Sequence, residues 1–381
     1  MEKHKLYYEQ PYMKEFEAKV THCLEKDGVF EIMLENTCFY PEGGGQPSDT
    51  GIIGDAIITH VKERGEDIIH IADKPLEAGK TYSAEIDWQR RFDHMQHHSA
   101  EHVVSGIIHK LYGADNVGFH IGEEYITMDY NVNLTKKDIE KIEYLSNEVV
   151  FKNIPIKIDY YDNTPEIDYR SKKELSGTIR IVTIDDCDVC ACCGTQLSGT
   201  GEIGLIKIVS FQKYKSGSRL FMVCGFRALK DYQIKEDNIS EISALLSSKP
   251  YESAKNVQII NDEKERLKFE LSKVKFELID IKSAKIEISD TLTIFEENLS
   301  AEEMRRYLNN FSSKCQTISV FSGNDEDGYK YVFTSSREDF WTVVKNMNTA
   351  LNGKGGGKDI AQGFMSTKKA EIQSFMDSLK D

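Results

Sequence analysis

His98 and His102 stand four residues apart with Glu101 between them, and downstream Cys187, Cys190, Cys192 and Cys193 crowd one short segment that runs on to Gln196. On a helix, residues i and i+4 share a face with about 6 Å between their Cβ atoms. Zinc sites use that spacing, and imidazole and thiolate are ligands that Zn2+ takes. His94 and His97 flank the pair. Together the two segments read as a zinc site that exists only once its domain has folded, which points to a catalytic ion. Two other readings stand beside it. Cys187 and Cys190 form a Cys-x-x-Cys knuckle able to hold an ion of their own. His98, Glu101 and His102 also satisfy H-x-x-E-H, the inverted zinc-protease signature, which needs a glutamate ligand from a later helix. Cysteines that are not ligands read as buried thiols.

The elements that must position these residues follow from hydrophobic period. Residues 1–88 alternate apolar and polar side chains in runs such as Val29-Phe-Glu-Ile-Met-Leu-Glu, with a turn at Asp27-Gly28; this predicts a small β-barrel. From Gln89 the period becomes helical, carrying His94, His98 and His102 with Val103, Ile107 and Leu111 to a stop near Gly113. Strands near Tyr125–Tyr130, Ile156 and Ile179 and a helix from Lys136 to Phe151 complete an α/β domain over 89–235. Residues 236–290 are dense in Glu and Lys with spaced apolar residues, and predict a long amphipathic helix, either a solvated linker or a coiled-coil dimer seam. Residues 291–381 read as a small α/β module ending in a glycine loop and a terminal helix. The expected fold class is α+β: N-terminal β-barrel, α/β zinc domain, long helical linker and small C-terminal α/β domain.

Composition narrows the function classes. The chain has 381 residues, long for one core, and eight cysteines, too dilute for a disulfide scaffold. No apolar run approaches a membrane span, and the segment Met1 to Tyr8 lacks the apolar core of a signal peptide, so the cytoplasm is the expected compartment. The net charge of −15 argues against indiscriminate nucleic-acid binding but leaves room for a local basic face.

Four motifs carry a family resemblance. Arg91 to His102 resembles the first zinc motif of the alanyl-tRNA synthetase editing domain and of its free-standing relatives, the AlaX editing proteins. Cys192-Cys-Gly-Thr195-Gln196 followed by Thr200-Gly-Glu202-Ile resembles the second, usually C-G-G-T-H followed by T-G-E-I. Phe39 to Gly51, with Gly43-Gly-Gly-Gln46, resembles the glycine-rich loop of the family's barrel. Gly353 to Gly363 resembles the C-terminal domain shared with DHH-type phosphoesterases, without the DHH motif. The motifs occur in family order over nearly the whole chain and match the long form of AlaX.

This resemblance implies a zinc-dependent deacylase acting on mischarged tRNA(Ala), foremost Ser-tRNA(Ala) and then Gly-tRNA(Ala), with no aminoacylation domain. It implies His98, His102 and Cys192 as ligands of Zn2+. The family's fourth ligand is a histidine; here Gln196 stands in its place, so the fourth bond falls to Gln196, Cys193 or a neighbouring cysteine, or the position stays open to water. Gln46, Glu101 and Thr195 are the candidate catalytic residues. Gly43, Gly44 and Gly45 would offer backbone N–H groups at close approach, and Gln46 and Gln196 would bind substrate through their amides. Lys354 and Lys358 in the glycine segment suit tRNA phosphates. A homodimer would form through the helical linker and C-terminal domain, and no membrane partner is expected. The alternatives are a tRNA-binding protein with a degraded site, and the inverted-motif zinc protease.

Overall fold

A computed structural model describes residues 4–171 and 178–380, and the chain divides into two compact units, Met1–Ser240 and Glu241–Asp381. In the first, alternating side chains close a six-stranded barrel. Its strands are β1 (Glu15–Lys26), β2 (Val29–Leu34), β3 (Gly51–Ile53), β4 (Ala56–Arg64), β5 (Asp67–Ala72) and β6 (Thr81–Ile86), in the order β1-β2-β5-β4-β3-β6 with β6 returning to β1. Inward residues such as Val20, Ile32, Ile58 and Val61 fill it. Asp27 and Gly28, both at positive φ, make the two-residue hairpin that joins β1 to β2.

Helix α1 (Trp88–Tyr112) starts where Asp87 accepts a hydrogen bond from Arg90 N–H and stops where Gly113 turns left-handed. An unbroken run from His94 to Ile108 along it is buried. A helix buried on every side is normally apolar; this one carries His94, His97, His98, Ser99, Glu101 and His102, each of which then needs a polar partner.

Several of the partners come from the elements that wrap α1. One sheet has the order β12-β13-β8-β7, from β7 (Asn116–Ile121), β8 (Ile126–Tyr130), β12 (Ile206–Tyr214) and β13 (Gly217–Cys224). The other is β9 (Ile156–Tyr161), β10 (Ile179–Ile184) and β11 (Asp188–Ala191). Helix α2 (Lys136–Lys152) opens on a capping box, Thr135 with Asp138. Helix α3 (Gly225–Leu245) leaves this unit.

In the second unit, helix α4 (Ser253–Ser283) follows Pro250. Then β14 (Thr291–Glu296), α5 (Ala301–Phe311), β15 (Thr317–Asn324), β16 (Gly328–Ser335), α6 (Phe340–Ala350), β17 (Gly353–Gly356), β18 (Ala361–Met365) and α7 (Lys369–Asp377) build a five-stranded sheet, order β14-β15-β16-β18-β17, with helices packed on it. No helix among the described residues is long and apolar enough to cross a membrane.

Candidate metal centre

One ring nitrogen each of His98 and His102 and the sulfur of Cys192 lie within 4.8 Å of one another, with Cys192 Sγ 3.1 Å from His98 Nε2. The other nitrogen of each ring is held from behind. His98 Nδ1 is 2.9 Å from Gln46 Oε1, and His102 Nδ1 is 2.8 Å from Asp188 Oδ2. Such outer acceptors hold each Nδ1–H and turn each Nε2 toward the sulfur. His102 Nε2 is buried and has no hydrogen-bond partner among the described residues. Burial raises the Cys192 thiol, but His98 and His102 outweigh it and hold the group well below the ordinary thiol range. Burial likewise opposes charge on His102; the Cys192 sulfur and the Asp188 carboxylate prevail and push it up to about 10. A polarised thiolate, two imidazoles and an orphaned ring nitrogen are a donor set that fits Zn2+.

Packing brings these pieces together. Arg91, fully buried, forms an ion pair with buried Asp49 and donates to the carbonyls of Pro11 and Cys38. That pair ties the loop following β2 to the helix about two turns before His98, and so delivers Gln46 to the site. Gln46 is held there through both ends of its amide. Its Oε1 also accepts from Thr195 N–H (3.3 Å), and its Nε2 donates to Thr195 Oγ1 (2.9 Å). On the other side Gly194 lies flat against His98; a Cβ there would sit about 2 Å from the ring. Asn153, at the end of α2, accepts from Gly201 N–H, and Thr200 Oγ1 donates to Val149 O, so the Thr200-to-Ile203 turn anchors the cysteine segment.

Gln196 does not point its oxygen at the group. Ser99 Oγ accepts from Leu197 N–H and donates to Gln196 Oε1 at 2.7 Å. This fixes the amide, whose nitrogen faces Cys192 Sγ at 3.7 Å. An amide nitrogen has no lone pair for a metal, so the position where the family pattern has its fourth ligand carries a hydrogen-bond donor to the thiolate. Cys193 is exposed and belongs to neither cluster of metal-ligating groups among the described residues; its carbonyl accepts from Tyr8 and Tyr40. A second cluster joins His102, Asp188 and Cys190. There Asp188 is already gripped by Arg170 through both oxygens, and burial raises the Cys190 thiol, keeping it neutral. The His98–His102–Cys192 group is the better ligand set.

Glu101 is buried but turned elsewhere, its Oε1 accepting from Ser105 Oγ and Asn116 Nδ2. What completes the histidine pair is a cysteine, and among the described residues no glutamate joins either cluster, which removes the support for the inverted-protease reading. The glycine turn is partly closed on itself: Gly43 and Gln46 exchange backbone hydrogen bonds, and Gly45 packs against Phe119. Lys354 and Lys358 are exposed and belong to the second unit. Sequence reasoning missed Asp188, Arg170 and Ser99. Asp188 lies between two of the cysteines, and a carboxylate inside a ligand segment is itself a signal for a histidine's outer partner.

Comparison with known proteins decides the family. The alanyl-tRNA editing protein AlaX-L of Pyrococcus horikoshii is 30% identical over 97% of this chain and 96% of its own length. The chain belongs to the alanyl-tRNA editing protein family. Alanyl-tRNA editing protein Aarsd1 of Rattus norvegicus is 26% identical over 96% of this chain and 95% of its own. The alanine–tRNA ligase of Pyrococcus furiosus is 33% identical over 70% of this chain, which spans 31% of that enzyme. Three family models match: the threonyl and alanyl tRNA synthetase second additional domain at residues 179–221, tRNA synthetases class II (A) at 3–90, and the DHHA1 domain at 287–381. The class II match falls on the stretch that folds here as the closed barrel.

Proposed function

We propose that this chain is a trans-editing hydrolase that cleaves the aminoacyl ester of mischarged tRNA(Ala), Ser-tRNA(Ala) first and Gly-tRNA(Ala) second, at a zinc ion held by His98, His102 and Cys192 in the cytoplasm. The observation that carries this reading is the convergence of those three donors, each ring held from behind by a committed partner. When bound, zinc supplies Lewis-acid polarisation and lowers the pKa of water. The protein's own groups do the rest. Gln46 keeps the proton of His98 on Nδ1, and Asp188 does the same for His102. Gln196 and Gly194 direct N–H groups at the Cys192 sulfur and temper its charge. Thr195 Oγ1 accepts from Gln46, leaving its own proton to offer a substrate hydroxyl. A buried hydroxyl that serine pairs with and alanine leaves unpaired separates the two by about 1–3 kcal/mol. Glu101 acts at one remove, fixing α1 through Ser105 and Asn116. Lys354 and Lys358 contribute phosphate contacts.

Gln196 in place of a fourth ligand also favours a second reading, a tRNA-binding protein that no longer hydrolyses. The two separate on a panel of Ser-, Gly- and Ala-tRNA(Ala). The hydrolase releases serine fastest and leaves alanine in place. Binding of all three with no release would assign the chain to the second reading.

A further inference from the structure

Burying a charge is costly unless an opposite charge or a full set of hydrogen bonds meets it. The first unit obeys that rule at Arg91, Arg170, Arg219 and Arg227, which are clasped by Asp49, Asp188, Asp129 and Asp93 respectively. Arg180, on β10, departs from it. The residue is 7% exposed and has no acidic partner among the described residues. Its Nη1 donates to Cys192 O at 2.7 Å. Its Nε is buried without an acceptor, and Nη2 makes no hydrogen bond among the described residues. Most of a donor fork shaped for an oxyanion is left unengaged.

This unpaired charge flanks the metal centre. The Arg180 carbonyl accepts from Cys192 N–H at 3.1 Å, so its backbone and side chain both hold the residue whose sulfur faces His98 and His102. The ring of Tyr8 lies 4.9 Å from the guanidinium and steadies it, while Tyr8 OH donates to Cys193 O. Tyr40 OH lies 3.2 Å from that same carbonyl and 3.1 Å from Gly43 O. The guanidinium therefore stands on a strip that runs from the cysteine ligand to the glycine turn, and Cys193 on that strip is exposed.

The chemistry of the substrate says which anion would meet it. A seryl or glycyl ester carries no carboxylate, and its amino group is cationic. The anions nearest the scissile bond are phosphodiesters, the first of them on the 5′ side of the terminal nucleotide. The planar fork of arginine suits such a phosphate through paired N–H bonds.

We propose that Arg180 anchors that terminal phosphodiester and so places the ester at the metal centre. The identity of the anion rests on the deacylase reading. The test sets a substrate that has the phosphate against one that lacks it. Arg180→Gln should raise KM for Ser-tRNA(Ala) by about 10–100-fold with kcat little changed, as loss of a charge-assisted pair does. Arg180→Lys keeps the charge without the fork and should recover part of that loss. 3′-O-seryl adenosine, which has no phosphate, should be hydrolysed alike by all three proteins, with zinc content and unfolding midpoint unchanged. Binding of AMP should weaken by a similar factor in Arg180→Gln, and binding of adenosine should not. An equal loss on seryl adenosine, or loss of zinc, overturns the anchor and leaves Arg180 as a prop for Cys192. No loss on either substrate overturns it as well. A wild-type chain that hydrolyses neither substrate sinks the deacylase reading instead, and the AMP and adenosine affinities then decide the anchor by themselves. A loss confined to AMP upholds it, and unchanged AMP affinity in Arg180→Gln overturns it.

Discussion

The metal centre and the outer face of helix α4 use burial in opposite ways. At the centre, polar groups that water would gladly hold are taken inside, and each is given a partner from another element: Gln46 from the barrel loop, Asp188 from β11, Ser99 from α1 itself. On α4, apolar groups that water rejects, Leu267, Leu271, Val274 and Leu278 among them, are left outside. The first arrangement is closed within one chain and is made for precision. The second is open to solvent. The contrast separates what should perturb chemistry from what should perturb assembly.

The sharpest way to break it is at the ligand. Cys192→Ala should lower zinc affinity by more than the roughly 10–100-fold that follows loss of an outer partner, while oligomeric state stays unchanged; metal analysis and light scattering on the same sample check both. Next, Asp49→Ala leaves Arg91 buried without its counter-charge, which should cost about 3–5 kcal/mol. Chemical denaturation should register that loss in the first unit alone. Asp188→Asn keeps the shape but not the charge behind His102, and should cost about 10–100-fold in metal affinity with the fold intact. Lys354→Ala and Lys358→Ala should each lower the slope of log tRNA affinity against log salt by about 1, weakening all tRNAs alike without touching zinc content.

The smallest effect concerns acid stability of the barrel. Burial holds His70 neutral, its pKa lowered to about 4; Thr37 Oγ1 and Ile32 O contact its two nitrogens. Because the folded value lies below the ordinary one near 6.5, the native state binds fewer protons in between. The stability it contributes is therefore full above about pH 6.5 and is lost as pH falls toward 4. His70→Gln should flatten that limb in unfolding curves measured between pH 7 and 4.

Much of this was legible in the sequence where structure is local. The period change at residue 88, the i, i+4 histidines and Gly113 located α1 within a residue of its observed start. The helical run from Lys136 to Phe151 marked α2, and alternation marked the barrel. What stayed hidden depends on contacts between distant segments. Gln46 reads as a substrate-binding amide until the Arg91–Asp49 pair carries it to His98. Glu101 stands in the sequence between two candidate ligands, and only the fold shows its Oε1 accepting from Ser105 and Asn116. The glycine run from Gly353 reads as a loop because glycine has no strand preference. It pairs with Ala361–Met365 because a Cβ at Gly355 would strike Tyr331 and the facing strand. Helix α4 was visible as amphipathic, but only its observed exposure shows which apolar residues stay outside the core.

The most direct test is to strip the protein of metal, restore zinc in fractional equivalents and follow serine release from Ser-tRNA(Ala) under single-turnover conditions. Release should rise in proportion to bound zinc and level off at one equivalent in the wild type, and stay near the uncatalysed rate in Cys192→Ala. Full activity in the metal-free protein, or none with one zinc bound, would contradict a deacylase centre built on His98, His102 and Cys192.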